Sequence, residues 1–170
     1  VDFAGDVNGD GFGDIIVSAP QASSSAGAVF ILFGKASGFD AALDLSSLDG
    51  SNGFRIDGLA AGDNFGHSVR RAGDVNGDGI GDLVVGAPQA SPDSRSAAGQ
   101  AFVIFGKSTG FAATLDLATL DGASGFRVDG LADGDNLGGS VAGAGDVNGD
   151  GLADILVGAP AADAPGSGNS

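Results

Sequence analysis

The sequence predicts an all-β protein built of repeated blades, each a sheet of four short antiparallel strands, and three observations carry that reading. The first is repetition: "GDVNGDGFGDIIVSAP", Gly5 to Pro20, returns with few changes at Gly73 to Pro88 and at Gly145 to Pro160. Gly34 to Pro88 maps without gaps onto Gly106 to Pro160 at a shift of 72 residues. The second is patterning, because apolar runs of about four to eight residues sit between clusters of Gly, Pro, Asn and Asp, the signature of strands and turns. The third is composition. All 22 acidic residues of the 170 are Asp, which removes a good helix former, and 33 glycines suit thin, closely stacked layers.

In the middle unit the pattern places strands at Phe65–Ala72, Asp82–Ala87, Gln100–Phe105 and Gly125–Asp129. "DLVVGA" and "AFVIF" are apolar on both parities, as strands covered on both faces are, whereas "GFRVDG" alternates, as expected nearer an edge. Short four-stranded antiparallel sheets, repeated and covered, describe propeller blades. Phe111 to Leu120 reads as a short helix or an irregular arm, and Phe39 to Leu48 as its counterpart. Relative to the first unit, four residues are inserted around Ser91 to Ser96, which marks an exposed, tolerant loop. The division is a partial blade at 1–58, a complete one at 59–130 and a partial one at 131–170, a window on a propeller or repeat array. Propellers close with about four to eight blades, so two broad apolar blade faces are expected to be covered by further blades or by self-association of copies.

Charge narrows the partners. A formal net charge of −15 repels nucleic acid and anionic membrane surfaces. Cations are the natural complement. The chain has no cysteine for disulfides, thiolate nucleophiles or zinc-thiolate sites, and no apolar run of membrane-spanning length.

The acidic stretches supply a specific cation site. In D-x-N-x-D-G-x-x-D, side-chain oxygens fall at loop positions 1, 3, 5 and 9, Asp6, Asn8, Asp10 and Asp14 in the first copy, and position 7 can add its backbone carbonyl. Carboxylates crowded in this way repel unless a cation sits among them. Calcium, which accepts six to eight oxygens at about 2.3–2.6 Å in a flexible cage, fits better than magnesium. An EF-hand is excluded, since its position-12 Glu is replaced by Val17, Val85 and Val157 inside strands. Asn-Gly and Asp-Gly are also favoured hairpin dipeptides, so "NGDG" alone is accounted for by a turn. A turn, however, has no need of Asp14, Asp82 and Asp154 at one fixed offset in all three copies.

"FGHSVRRAGDVNGDGIGDLVVGAP", Phe65 to Pro88, resembles the FG-GAP repeat of the integrin alpha-chain propeller and its bacterial relatives, with Phe65-Gly66 and Gly86-Ala87-Pro88 as the two name-giving motifs. The likeness covers essentially the whole chain. The third unit has Leu137-Gly138 for Phe-Gly, and the first has Ser18-Ala19-Pro20 for Gly-Ala-Pro. The resemblance implies blades of a seven-bladed propeller, structural calcium in the hairpin between the first two strands of a blade, and an extracellular role in adhesion or ligand capture. Carried over residue by residue, it implies three calcium sites. The side-chain ligands are Asp6, Asn8, Asp10 and Asp14; Asp74, Asn76, Asp78 and Asp82; and Asp146, Asn148, Asp150 and Asp154, joined by the carbonyls of Phe12, Ile80 and Leu152.

Other conspicuous residues read as structural. His67 is the only histidine, too few for a metal triad or catalytic relay. Arg70 and Arg71 read as a solvated rim, because the third unit has Ala142 and Gly143 there. Arg55 and Arg127 are expected to pair with the Asp two residues on or with a neighbouring blade, and Phe54, Phe65, Phe102, Phe105 and Phe126 to wedge between blades. No nucleophile and base can be assembled, so the expectation is a non-enzymatic, calcium-dependent module that binds protein or glycan ligands outside the cell. The alternative is a structural repeat protein whose calcium-stiffened blades assemble between chains into a fibre or surface layer.

Overall fold

The computed structural model describes residues 1–163; residues 164–170 of the third unit lie outside the described residues. Its strands are β1 (Asp2–Gly5), β2 (Asp14–Ala19), β3 (Ala28–Leu32), β4 (Gly53–Asp57), β5 (Ser68–Gly73), β6 (Asp82–Ala87), β7 (Gln100–Ile104), β8 (Thr114–Leu115), β9 (Gly125–Asp129), β10 (Ser140–Gly145) and β11 (Asp154–Gly158). They form three sheets, ordered β1-β2-β3-β4-β8, β5-β6-β7-β9 and β10-β11. All neighbours are antiparallel except β8, and the sheets stack as successive blades. The first unit already holds four strands, and β1 lacks the counterparts of Ser68 and Val69.

The two-parity apolar runs are explained by the stacking. On β6 and β7, Leu83, Val85, Phe102 and Ile104 join Ile16, Ile31, Phe54 and Ile56 of the first blade in one core cluster. The alternate residues Val84, Ala101 and Val103 join Val141, Ile155 and Val157 of the third blade in another. A strand whose two faces both meet a neighbouring blade has no polar side, so period-2 alternation disappears.

Two elements depart from the pattern. Phe65 and Gly66 form a turn, not the start of a strand: Gly66 has φ +84°, Phe65 donates its amide to the Ala26 carbonyl (3.0 Å) and Gly66 to that of Gly86 (3.0 Å). The Phe65 ring is buried edge-on to Phe102 at 5.6 Å. The inserted loop carries a short 3-10 turn at Pro92–Ser94, replacing the turn at Ala22–Ser25 in the first blade.

The expected arms are irregular with one 3-10 turn each, Leu45–Ser47 and Leu117–Thr119, started by the side chains of Asp44 and Asp116, which accept from the amides of Ser46 and Ala118. The second arm crosses to the first blade. Its β8 pairs in parallel with β4, Thr114 opposite Arg55 and Leu115 opposite Ile56, and Phe111 stacks on Phe54 with centroids 4.2 Å apart. Arg55 and Arg127 pair with Asp57 and Asp129, as expected from their spacing.

Phe54 is fully buried in that stack, whereas Phe39, the counterpart of Phe111 in the first arm, is 48% exposed. Phe54→Ala should therefore lower the unfolding free energy by about 3–5 kcal/mol and Phe39→Ala by less than about 1 kcal/mol, measured by chemical denaturation of both variants beside the parent.

Candidate metal centre

Each acidic loop is the hairpin between the first two strands of a blade, and a β-bulge aims it. The β1–β2 register slips between Phe3 and Gly5, β5–β6 between Arg71 and Gly73, and β10–β11 between Gly143 and Gly145. The glycine at each slip has positive φ, so the chain bends immediately before loop position 1. Two further left-handed glycines, Gly77 and Gly79 in the middle copy, wrap the loop around its own side chains.

Positions 1, 3 and 5 are drawn together by the backbone. In the middle loop, Asp74 Oδ1 accepts from the amides of Gly77 (2.7 Å) and Asp78 (3.0 Å), and its Oδ2 from Gly79 (2.9 Å). Asn76 Oδ1 accepts from the same Asp78 amide at 3.0 Å, and Asp78 Oδ1 accepts from Ile80 at 2.8 Å. Two oxygens sharing one N–H lie side by side. The first loop repeats the pattern through Asp6, Asn8 and Asp10, with Phe12 donating, and the third through Asp146, Asn148 and Asp150, with Leu152 donating.

Position 9 does something else. Asp14 is fully buried, accepting from Val7 at the start of the loop and from Gly34 at the exit of β3, both at 2.8 Å. Asp82, also fully buried, does the same with Val75 (2.7 Å) and Gly106 (2.8 Å), and Asp154 accepts from Val147 at 2.8 Å. These carboxylates clamp the hairpin base, so the trio of carboxylates in each loop is split into two at the tip and one behind. Among the described residues no three acidic or imidazole groups form a cluster on their own. The oxygen set nevertheless suits a hard cation: the carboxylate oxygens bonded to a single N–H, such as Asp74 Oδ2 and Asp78 Oδ1, keep a second lone pair. An asparagine oxygen and backbone carbonyls complete the hard donor set.

Charge in the loops is unbalanced. The ion pairs among the described residues are Arg55–Asp57, Arg70–Asp2, Arg95–Asp93 and Arg127–Asp129, none of which involves a loop carboxylate. Burial pushes the Asp14 carboxyl above its ordinary range, and pushes Asp82 up to about 6, against the lowering effect of its two amide donors and with added repulsion from Asp78 and Asp74.

His67 is an exposed bend residue just before β5, Arg71 is exposed, and Arg70 lies 3.6 Å from Asp2 on the neighbouring inner strand. Phe54, Phe65 and Phe102 are buried between blades, and Phe105 and Phe126 pack half-buried at 6.0 Å from each other. The partners of the clamp, Gly34 and Gly106, were not singled out from the sequence. The repeated "FGK" at Phe33–Lys35 and Phe105–Lys107 was the signal available.

The profile of the FG-GAP repeat matches residues 3–32, 65–104 and 137–170, one match for each bulge, acidic hairpin and returning strand described above. The chain belongs to the FG-GAP repeat family. Its relatives include the phosphatidylinositol-glycan-specific phospholipase D of Bos taurus, 32% identical over 167 residues that make up 96% of this chain and 18% of that protein. The integrin alpha-PS5 of Drosophila melanogaster is 33% identical over 165 residues, 95% of this chain and 15% of the integrin. The integrin alpha-V of Gallus gallus is 30% identical over 160 residues, covering 92% and 13%. This FG-GAP chain thus spans less than a fifth of the length of these relatives.

Asp82 binds its proton more tightly in the folded FG-GAP chain than in the unfolded one. Its contribution favours folding at low pH and is lost as pH rises from about 4 through about 6. In chelator, the urea midpoint of the wild type should fall across that window more steeply than that of Asp82→Asn, which has no such proton to lose.

Proposed function

We propose that the chain is a calcium-binding, non-catalytic ligand-binding module of an extracellular protein, in which calcium in three hairpins stiffens the blades. The observation that carries this reading is that all three hairpins hold the same ring of Asp and Asn oxygens with no cationic side chain paired to it. The ions would be held by Asp6, Asn8 and Asp10, by Asp74, Asn76 and Asp78, and by Asp146, Asn148 and Asp150. The carbonyls of Phe12, Ile80 and Leu152 add to these, and the spare lone pairs of Asp14, Asp82 and Asp154 back them. The bound ion supplies positive charge and cross-links the loop. An extracellular setting suits sites of this kind, because millimolar calcium fills them whereas cytosolic calcium leaves them empty.

The ligand face is assigned to the opposite rim. The antiparallel meander sends the loops after β2 and β6 and the links between blades to the end away from the hairpins. Among the described residues, all the non-glycine residues with positive φ fall there: Ser23, Ser24, Ser25, Asn64, Asp93, Ser94, Ala97 and Asn136. Backbone held in sparsely populated conformations collects at binding surfaces. Protein or glycan ligands fit this reading, and integrin alpha chains among the relatives support it. The same segment aligns with integrins and with a phospholipase D, so the shared repeats are not what distinguishes the phospholipase. No helix among the described residues is long and apolar enough to cross a membrane.

Calorimetry should find three calcium ions per chain. For a site of Kd near ~0.1 mM in ~2 mM calcium, each should add about 1.8 kcal/mol of stability that chelator removes. Absence of heat and of any stability change would sink the calcium reading.

A second reading, assembly between copies, rests on one repeated contact. Ile80 sits over Gly9 of the preceding loop and Leu152 over Gly77, while Phe12 is 43% exposed and nothing lies within 4 Å of a side-chain position at Gly149. Val147 in the same loop and Leu156 on β11 are exposed at 74% and 62%. Phe12 of one copy over Gly149 of another would repeat the internal contact head to tail. Sedimentation should then show concentration-dependent growth abolished by Phe12→Asp; a monomer at all concentrations ends that reading.

A further inference from the structure

The acidic hairpins are bonded to one another. The main-chain carbonyl of Asp6 accepts the amide of Gly81 at 2.9 Å, and that of Val7 accepts the amide of Lys107 at 2.9 Å. Gly81 precedes Asp82, and Lys107 follows Gly106, whose own amide donates to Asp82. Both sides of the second clamp therefore hang from the first two residues of the first loop. The third loop repeats part of this arrangement, with the Ala153 amide, next to Asp154, donating to the Asp74 carbonyl at 2.8 Å. Side chains reinforce the link. A Cβ built on Gly77 would stand 2.8 Å from Leu152 Cδ2, and one on Gly9 3.4 Å from Ile80 Cδ1. The position-7 residue of each later loop thus roofs the position-4 glycine of the loop before it.

From this we infer that the three cation sites are coupled in series along the rim, the middle one to both neighbours and the outer two only through it. The inference rests on the calcium reading of the hairpins and adds to it. Asp6 would offer its carboxylate to the ion in the first loop while its carbonyl holds the amide preceding Asp82. An ion that fixes the first loop therefore fixes the base from which the second projects. Asp74 stands in the same relation to Asp154. Coupling of this kind is reciprocal, so an ion in a later loop raises the affinity of the earlier one by the same factor. A loop that loses its ion regains freedom at the residues its neighbours hang from, and weakens them.

The wild-type chain carries its own reporters. The amides of Gly11, Gly79 and Gly151 each donate to the position-1 carboxylate of their own loop at 2.9 Å, so their NMR resonances follow each site separately during a calcium titration. Asp74→Asn, which cripples the middle site, should weaken calcium binding at both Gly11 and Gly151 by about fivefold or more. Asp146→Asn should weaken the site at Gly79 comparably and leave the one at Gly11 within about twofold. Leu152→Ala keeps every ligand atom and replaces a side chain that is 38% exposed, so it should fold normally and reduce the effect of Asp146→Asn on the Gly79 site. If Gly11 and Gly151 titrate in Asp74→Asn as they do in the wild type, the coupling is refuted while the calcium sites stand. If none of the three amides moves in millimolar calcium, the calcium reading falls and the coupling with it.

Discussion

Two buried carboxylates, Asp14 and Asp82, are the constraint from which the rest of the arrangement follows. An ionised carboxylate away from water is costly unless its oxygens are bonded, and hydrogen bonds to a charged acceptor are roughly twice as strong as neutral ones. Each of these side chains meets two backbone amides that belong to different parts of its blade, the start of the hairpin and the exit of the third strand. One side chain therefore ties three strands together at one end of the sheet. A neutral substitute of the same size offers only one oxygen and leaves an amide without its acceptor, so the position tolerates neither a shorter side chain nor an apolar one. The hairpin beyond the clamp projects from a fixed base, and its position-7 residue lies close over the glycine that follows the third strand, Phe12 over Gly34 and Ile80 over Gly106.

Blade stacking depends on how little side chain the backbone carries where it comes close to a neighbour. Gly27 lies against the backbone of Phe65, Gly99 against that of Leu137 and Gly86 against Gly138, with no room for a Cβ. These contacts let the link between blades pair with the loop before it, as when Asn64 and Phe65 donate to Ser25 and Ala26. Aromatic rings fill the wider space further out, as Phe54, Phe111 and Phe33 do around the crossing arm. Small residues near the links and large ones under the arms give each blade a fixed tilt on the last.

Much of this was legible in the residues. The strand boundaries at Asp82–Ala87 and Gly125–Asp129 agree to the residue, because Gly, Pro and Asp bracket each apolar run and leave no alternative register. The turn at Phe65-Gly66 was not legible. Its apolar character reads as strand, and only its hydrogen bonds to Ala26 and Gly86, residues of a preceding blade and of the next strand, bend it away. The crossing of the second arm to β4 was hidden for the same reason: nothing in "FAATLDLATL" announces that its partner lies in another repeat. At the acidic loops the residue types and spacing were readable, but the division of labour among them was not. Spacing makes the Asp at position 9 look equivalent to the others, and only its burial and its two amide donors set it apart.

The use of Asp in these loops follows from their geometry. A carboxylate one methylene from the backbone reaches amides two to five residues ahead, as Asp74 does with Gly77, Asp78 and Gly79, and so biases the tip toward one shape that a bound ion then fixes. The longer Glu side chain would carry the same charge on another rotatable bond, giving up more freedom for the same contacts. A loop biased in this way loses less entropy on binding an ion than an open one, and keeps enough freedom for the ion to order it further. That economy also transmits. Because the start of each loop is bonded to the base of the next, a change in one loop reaches its neighbour through backbone hydrogen bonds, not through the flexible ends of side chains. The spacing of the repeat thereby becomes a path along one rim of the molecule, while the loops that carry positive-φ residues gather on the other.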